Sequence, residues 1–202
     1  LESDWFLDPL FRGSYPPVAL AWYRRQGVEP PVEAGDLELI SRPVDFLGVN
    51  YYTRHVVAQD LGEPWSGTRQ LPAPGPVTAM SWEVYPQGLR EVLNWVYQTY
   101  VEPRFRDGAA PLSQGGSASP ALAPAAGPLS PWEAPCPLLV TENGAAYPDE
   151  LIEKNGELRV EDPQRIAYLD THLRSVWQAL QDGTPVAGYF AWALLDNFER
   201  SE

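Results

Sequence analysis

The stretch DPQRIAYLDTHLRSVWQALQDGTPVAGYFAWALL, residues 162–195, reads as a helix that leads into a strand. Asp162 suits the N-cap, where a carboxylate accepts from the unpaired N–H groups of the first turn, and Pro163 suits the first helical position. Ile166, Leu169, Leu173, Val176, Trp177 and Leu180 recur at helical spacing and predict an apolar face, with Gly183 as the stop. Pro185 then opens VAGYFAWALL at 186–195, an apolar strand, and CPLLVT at 136–141 is another short apolar run consistent with a buried strand. Upstream, VDFLGVNYY at 44–52 is β-branched and aromatic with no interior proline, and also predicts a strand. Residues 86–100 place Leu89, Val92, Leu93, Val96, Tyr97 and Tyr100 at helical spacing behind Pro86. Residues 17–26 and 36–41 read as shorter helices ending near Gly27 and Pro43. Short apolar strands alternating with amphipathic helices predict an α/β fold, a parallel sheet with helices on its faces. In such folds ligands gather at the carboxyl ends of the strands.

Residues 107–135 break this pattern. In DGAAPLSQGGSASPALAPAAGPLSPWEAP, 22 of 29 residues are Ala, Gly, Pro or Ser, and six prolines remove backbone donors. The segment reads as a low-complexity insert within one domain, with a tether between two domains as the alternative.

Composition narrows the function. Apolar residues are 44% of the 202, enough for a packed core. Acids outnumber bases 27 to 14, so nucleic acid and an anionic membrane surface are not expected partners: both would repel the chain. No apolar run has the roughly 18 residues of a membrane span, and no signal peptide is visible at Leu1–Asp4. A single cysteine, Cys136, excludes an internal disulfide, and His55 and His172 alone make a histidine-rich metal site unexpected. A reducing, cytoplasmic setting is the expectation, with no cofactor and no metal.

The chemistry collects at three strand ends. Asn50-Tyr51-Tyr52-Thr53 closes the first, and alternation puts Asn50 and Tyr52 on one face. Thr141-Glu142-Asn143-Gly144 closes the second, placing a carboxylate where burial and neighbours tune it. Trp192 lies in the third, which runs out through Asp196-Asn197-Phe198-Glu199. Carboxylate, amide, phenol and indole together suit a sugar site: aromatic faces stack on ring C–H groups, and acids and amides bind hydroxyls. No glycine-rich phosphate loop and no Gly-x-Ser-x-Gly elbow is present. Each signal also has a structural reading: Glu142-Asn143-Gly144 as a turn, Trp192 as core, Tyr52 as a structural hydroxyl, Asp196 and Glu199 as a solvated loop.

Six runs resemble the C-terminal part of glycoside hydrolase family 1, the β-glucosidase and β-galactosidase family: DWFLDPLFRGSYP (4–16), DFLGVNYYT (45–53), VTAMSWEVYPQGL (77–89), PLLVTENGAAYPDE (137–150), DPQRIAYLDTHL (162–173) and GYFAWALLDNFE (188–199). The resemblance implies a (β/α)8 barrel, of which residues 1–202 hold strands six to eight with their helices. It implies retaining hydrolysis, in which one carboxylate attacks the anomeric carbon and another protonates the leaving oxygen. By resemblance Glu142 is the nucleophile and Tyr52 hydrogen-bonds it. Asn50 lines the same site, Trp192 stacks on the glycone, Glu199 binds its hydroxyls, and Trp82 flanks the aglycone. The implied partners are a β-glycoside or oligosaccharide substrate, and either a complementary N-terminal half or self-association.

Three departures from the family pattern matter. The Asn-Glu-Pro motif that carries the acid/base glutamate is absent; the Glu-Pro pairs here are Glu29-Pro30, Glu63-Pro64 and Glu102-Pro103. Arg200 follows DNFE where the family continues with Trp. The sequence given stops at Ser201-Glu202, before the closing barrel helix that the resemblance implies. Three readings therefore stand: a fragment of a retaining β-glycosidase lacking the acid/base half, a non-catalytic carbohydrate-binding or interaction protein, and a truncated remnant.

Overall fold

The computed structural model describes residues 2–63, 66–106 and 130–195. The chain divides into two compact units, Leu1–Leu47 with Trp95–Pro137 and Gly48–Asn94 with Leu138–Glu202.

The first unit is helical. It holds α1 (Glu2–Arg12), α2 (Pro17–Arg25) and α3 (Asp36–Ile40), and the end of α4 (Pro86–Val96), whose earlier turns belong to the second unit. The sequence predicts one helix over 86–100, but a π turn at Tyr97–Val101 succeeds α4 before α5 (Glu102–Arg106). Tyr100 is buried there and donates to Asp4 Oδ1 at 2.6 Å, and the Arg12 guanidinium lies 4.7 Å over its ring. Arg104 ties α1 and α3 together by donating to the carbonyls of Phe11 and Ser41. Of the predicted insert, Pro131–Glu133 form one 3-10 turn, and 107–129 lie outside the described residues.

The second unit is built on a three-stranded sheet, β1 (Leu47–Asn50), β4 (Leu138–Asn143) and β7 (Val186–Ala191), in the order β1-β4-β7. β4 and β7 run parallel, with Leu139 opposite Gly188 and Val140 opposite Tyr189. β1 runs the same way, since Leu47 N–H donates to Pro137 and Tyr51 N–H to Glu142. The central strand is the buried one: Leu138 and Val140 are fully covered, as an apolar run flanked on both sides requires. Two outer strands are shorter than the sequence predicts, 47–50 within 44–52 and 186–191 within 186–195. Trp192 therefore lies just past its strand.

α6 (Pro163–Gln181) starts where predicted, with Asp162 Oδ1 accepting from Arg165 N–H at 3.3 Å. Its buried stripe differs. Tyr168, His172, Ser175, Val176 and Ala179 face inward, whereas Ile166 and Trp177 are 67% and 60% exposed. The apolar spacing is right at Val176, with Leu169 and Leu180 partly covered, but the packed face is turned toward polar positions that the spacing passes over, among them His172, whose Nδ1–H donates to the Tyr168 carbonyl at 2.8 Å. Burial keeps His172 neutral by lowering its pKa. Two antiparallel hairpins complete the unit, β2 (Val57–Gln59) with β3 (Thr68–Gln70), and β5 (Leu151–Lys154) with β6 (Glu157–Val160). The latter turns through Asn155-Gly156, both at positive φ, as a tight two-residue hairpin demands.

Candidate active site

Glu142 is the penultimate residue of β4, half-buried at the carboxyl end of the sheet. Its Oε2 accepts from the Tyr52 hydroxyl at 2.7 Å. Tyr52 stands two residues beyond β1, the neighbouring strand, so parallel pairing brings together groups 90 residues apart. Tyr51 turns the other way. It is buried and donates to the Tyr85 carbonyl at 2.6 Å, and Gly88 accommodates its hydroxyl, because a Cβ there would overlap it. Asn50 does sit beside the same strand end, but its Oδ1 accepts from Thr141 at 2.6 Å.

A cavity of 430 Å³ opens over this strand end, with Tyr52, Trp82, Trp192, Tyr147 and Tyr168 in its wall. Glu142 is not itself in that wall but bonds to one of its residues, through the Tyr52 hydroxyl. The Trp82 ring lies 5.3 Å from that of Tyr52, and Trp192 is anchored by its N–H on the Asn143 carbonyl at 2.9 Å. Five of the six residues singled out in the sequence thus gather at one end of one sheet. The sixth, Glu199, lies outside the described residues, as do Asp196 and Arg200.

Trp82 is carried on a short hairpin. Thr78 N–H donates to the Trp82 carbonyl at 2.8 Å, and Val77 bridges Glu83 across the turn. Glu83 is buried, and Arg54 grips it with two bonds of 2.8 and 3.1 Å. The guanidinium holds the Glu83 carboxyl below its usual range, and it also stacks 3.6 Å over the Tyr85 ring. The Arg54–Glu83 pair therefore fixes the Trp82 turn against the segment that carries Tyr52. Sequence reasoning misses this pair, since nothing local links two residues 29 apart.

On the far side of the cavity Arg165 donates to the carbonyls of Ala145 and Tyr147 and pairs with Asp149 and Asp162, holding the segment after β4 onto α6. These bonds raise the Arg165 pKa, first through Asp162, so the side chain stays charged. Sequence reasoning misses Arg165, Tyr168 and Asn143 too. No local pattern in the sequence marks Arg165 or Tyr168 as part of the site.

Among the described residues no cluster of His, Cys, Asp and Glu has the form of a metal site, and no helix is long and apolar enough to cross a membrane.

The profile of "Glycosyl hydrolase family 1" matches residues 1–106 and 132–202. The chain is 36% identical over 200 residues to a 1,4-beta-D-glucan glucohydrolase of Thermotoga neapolitana, covering 98% of this chain and 37% of that protein. It is similar to the AHE enzyme from Alicyclobacillus herbarius, with 35% identity and TM-score 0.74, covering 98% of this chain and 36% of that one. A beta-glucosidase from Thermotoga maritima, solved in complex with castanospermine, gives 33% identity and TM-score 0.70 over 98% and 36%. The chain thus spans little more than a third of the length of the relatives it matches.

Proposed function

The chain belongs to glycosyl hydrolase family 1, and from that premise we propose that it carries the nucleophile side of a retaining β-glycosidase of β-glucosidase type. The observation that carries this reading is the Tyr52 hydroxyl on Glu142 Oε2 at 2.7 Å, at a parallel strand end beneath a cavity walled by Trp82 and Trp192. In the proposed reaction Glu142 attacks the anomeric carbon and forms a glycosyl ester. A second carboxylic acid protonates the leaving oxygen, then activates the water that cleaves the ester. A hydrogen bond from Tyr52 leaves one Glu142 oxygen engaged and the other directed at the sugar. Trp192 stacks on the glycone, Trp82 flanks the aglycone, and Asn50 and Glu199 bind hydroxyls.

We take β1, β4 and β7 as strands six, seven and eight of the family's (β/α)8 barrel. The second carboxylate then lies in a part of the barrel outside these 202 residues, which contain no Asn-Glu-Pro. General acid assistance is worth about 10²–10⁴-fold, so the chain alone is expected to be inactive on unactivated β-glucosides. A second reading is a non-catalytic carbohydrate-binding chain with no turnover in any setting.

One experiment separates them. The chain is mixed with an N-terminal segment of a family relative and treated with a 2-fluoro-β-glucoside bearing a dinitrophenyl leaving group, which departs without protonation. The expected result is covalent label on Glu142, lost in Glu142→Gly, with turnover of a chromogenic β-glucoside only in the mixture. Label on Glu150 or Glu199 overturns the assignment. No label and no turnover in a stable mixture supports the second reading.

A further inference from the structure

We infer that Asn143 and Tyr168 are positioning residues that set the Tyr52–Glu142 hydrogen bond by clamping the two backbone carbonyls that flank the Tyr52 Cα. The inference rests on the reading of Glu142 as the nucleophile.

Asn143 follows Glu142 in β4 and is fully buried. Both of its amide hydrogens are used: Nδ2 donates to the Tyr51 carbonyl at 2.6 Å and to the Tyr168 hydroxyl at 3.0 Å, and Oδ1 accepts from Tyr189 at 2.5 Å. The Tyr168 hydroxyl, having accepted from Asn143, donates onward to the Tyr52 carbonyl at 3.2 Å. Every proton in the chain has a destination. Burial raises the pKa values of Tyr168 and Tyr189, the latter to about 12, so both phenols stay protonated donors.

The geometry explains why this matters at Tyr52. A peptide unit is planar, so fixing its carbonyl fixes the unit. The Tyr51 carbonyl belongs to the unit before the Tyr52 Cα and the Tyr52 carbonyl to the unit after it. Holding both sets φ and ψ of Tyr52 and with them the direction in which its phenol leaves the backbone. Tyr51 N–H donates to the Glu142 carbonyl at 3.0 Å, so the clamp is referenced to the strand that bears the carboxylate. His172 supports it by stacking on the Tyr168 ring at 3.8 Å. Neither Asn143 nor Tyr168 bonds Glu142's carboxylate; they act through Tyr52.

The test reads Tyr52 directly and needs no turnover. The 202-residue chain carries tyrosine labelled with ¹³C at Cζ and is measured alone and with an unlabelled N-terminal segment of a relative. Tyr52→Phe assigns its resonance, and Glu142→Gln marks where it moves when the carboxylate is lost. Tyr168→Phe is expected to shift the Tyr52 resonance toward that Glu142→Gln position. Tyr189→Phe, which frees Asn143 Oδ1 only, is expected to give a smaller shift in the same direction. Tyr100, bonded to Asp4 at 2.6 Å in the other unit, should stay in place and reports the fold of that unit, and a cooperative urea transition by tryptophan fluorescence shows that the mutated unit is folded. A folded Tyr168→Phe or Tyr189→Phe chain with an unmoved Tyr52 resonance overturns the positioning role. An unmoved resonance in Glu142→Gln overturns the pairing beneath it instead.

Discussion

Gly144 shows how tightly a single residue is specified at this strand end. It directly follows Asn143, and a Cβ built on it would overlap the carbonyl oxygen of Trp192. The neighbour is backbone, which cannot rotate away as a side chain can. Gly144→Ala should therefore displace the segment that carries Trp192 and destabilise the unit by about 1–3 kcal/mol, the usual cost of overpacking. A urea titration followed by tryptophan fluorescence checks both effects. A wild-type midpoint and spectrum would show that the Trp192 segment yields without resistance. Glu142 is legible in the sequence because a carboxylate after an apolar run stands out. The groups that hold the backbone of its partner Tyr52 are not. Tyr168 and Tyr189 reach Asn143 across 25 and 46 residues, and no local pattern distinguishes them from ordinary core tyrosines.

The elements were legible to the extent that they are bounded by chemistry. β4 is legible from the apolar run that opens it, Leu138-Leu139-Val140, although the strand continues to Asn143, past the predicted 136–141, and α6 announces itself by Asp162 and Pro163. Its buried face is only partly legible: Val176 is buried as the spacing predicts, but packing takes Tyr168, His172 and Ser175 over Ile166 and Trp177. The β5–β6 hairpin does carry a local signal, Asn155-Gly156 as the turn with Leu158 and Val160 alternating with Glu157 and Arg159, but its strands are four residues each and mostly exposed, so no burial marks them. The end of α6 carries a further testable device. Asp182 accepts from Arg90 at 2.6 and 2.8 Å and from Asn94 at 2.6 Å, while Thr184 donates to Asn94 at 2.7 Å, joining α6 to α4. Arg90 first, then Asn94, hold the Asp182 carboxyl at about 2, below its ordinary 3.8. A carboxylate depressed on folding adds stability that is complete above the unfolded value and lost as pH falls through the folded one. Thermal unfolding should therefore show stability falling between 3.8 and about 2, with a smaller fall in Asp182→Asn. Equal slopes for the two proteins over that window would remove Asp182 as a contributor.

At the scale of the whole molecule, the sheet poses a question of cover. Parallel strands are normally buried on both faces and paired at both edges. Among the described residues β1 and β7 each have β4 as their sole strand neighbour, and Phe190, the penultimate residue of β7, is exposed. Leu194 and Leu195 just beyond it are 96% and 77% exposed, and Ile166 and Trp177 project from α6. Burying a large apolar side chain is worth about 1.5–3 kcal/mol, so five such groups offer roughly 7–15 kcal/mol. Association costs about 4–15 kcal/mol in lost freedom, so the balance is close enough for the purified chain to associate. The net charge of −13 works against self-association, whereas a complementary segment of the barrel would also pair the strand edges. Salt distinguishes the two forces. Raising ionic strength shortens the screening length from about 10 Å at 0.1 M to about 3 Å at 1 M, weakening repulsion without weakening apolar contact. Sedimentation of the isolated chain should therefore show larger species as salt rises, and addition of an N-terminal segment of a relative should replace them with one defined complex. A monodisperse monomer at every salt concentration, indifferent to the added segment, would mean that these apolar groups find their cover within the chain itself.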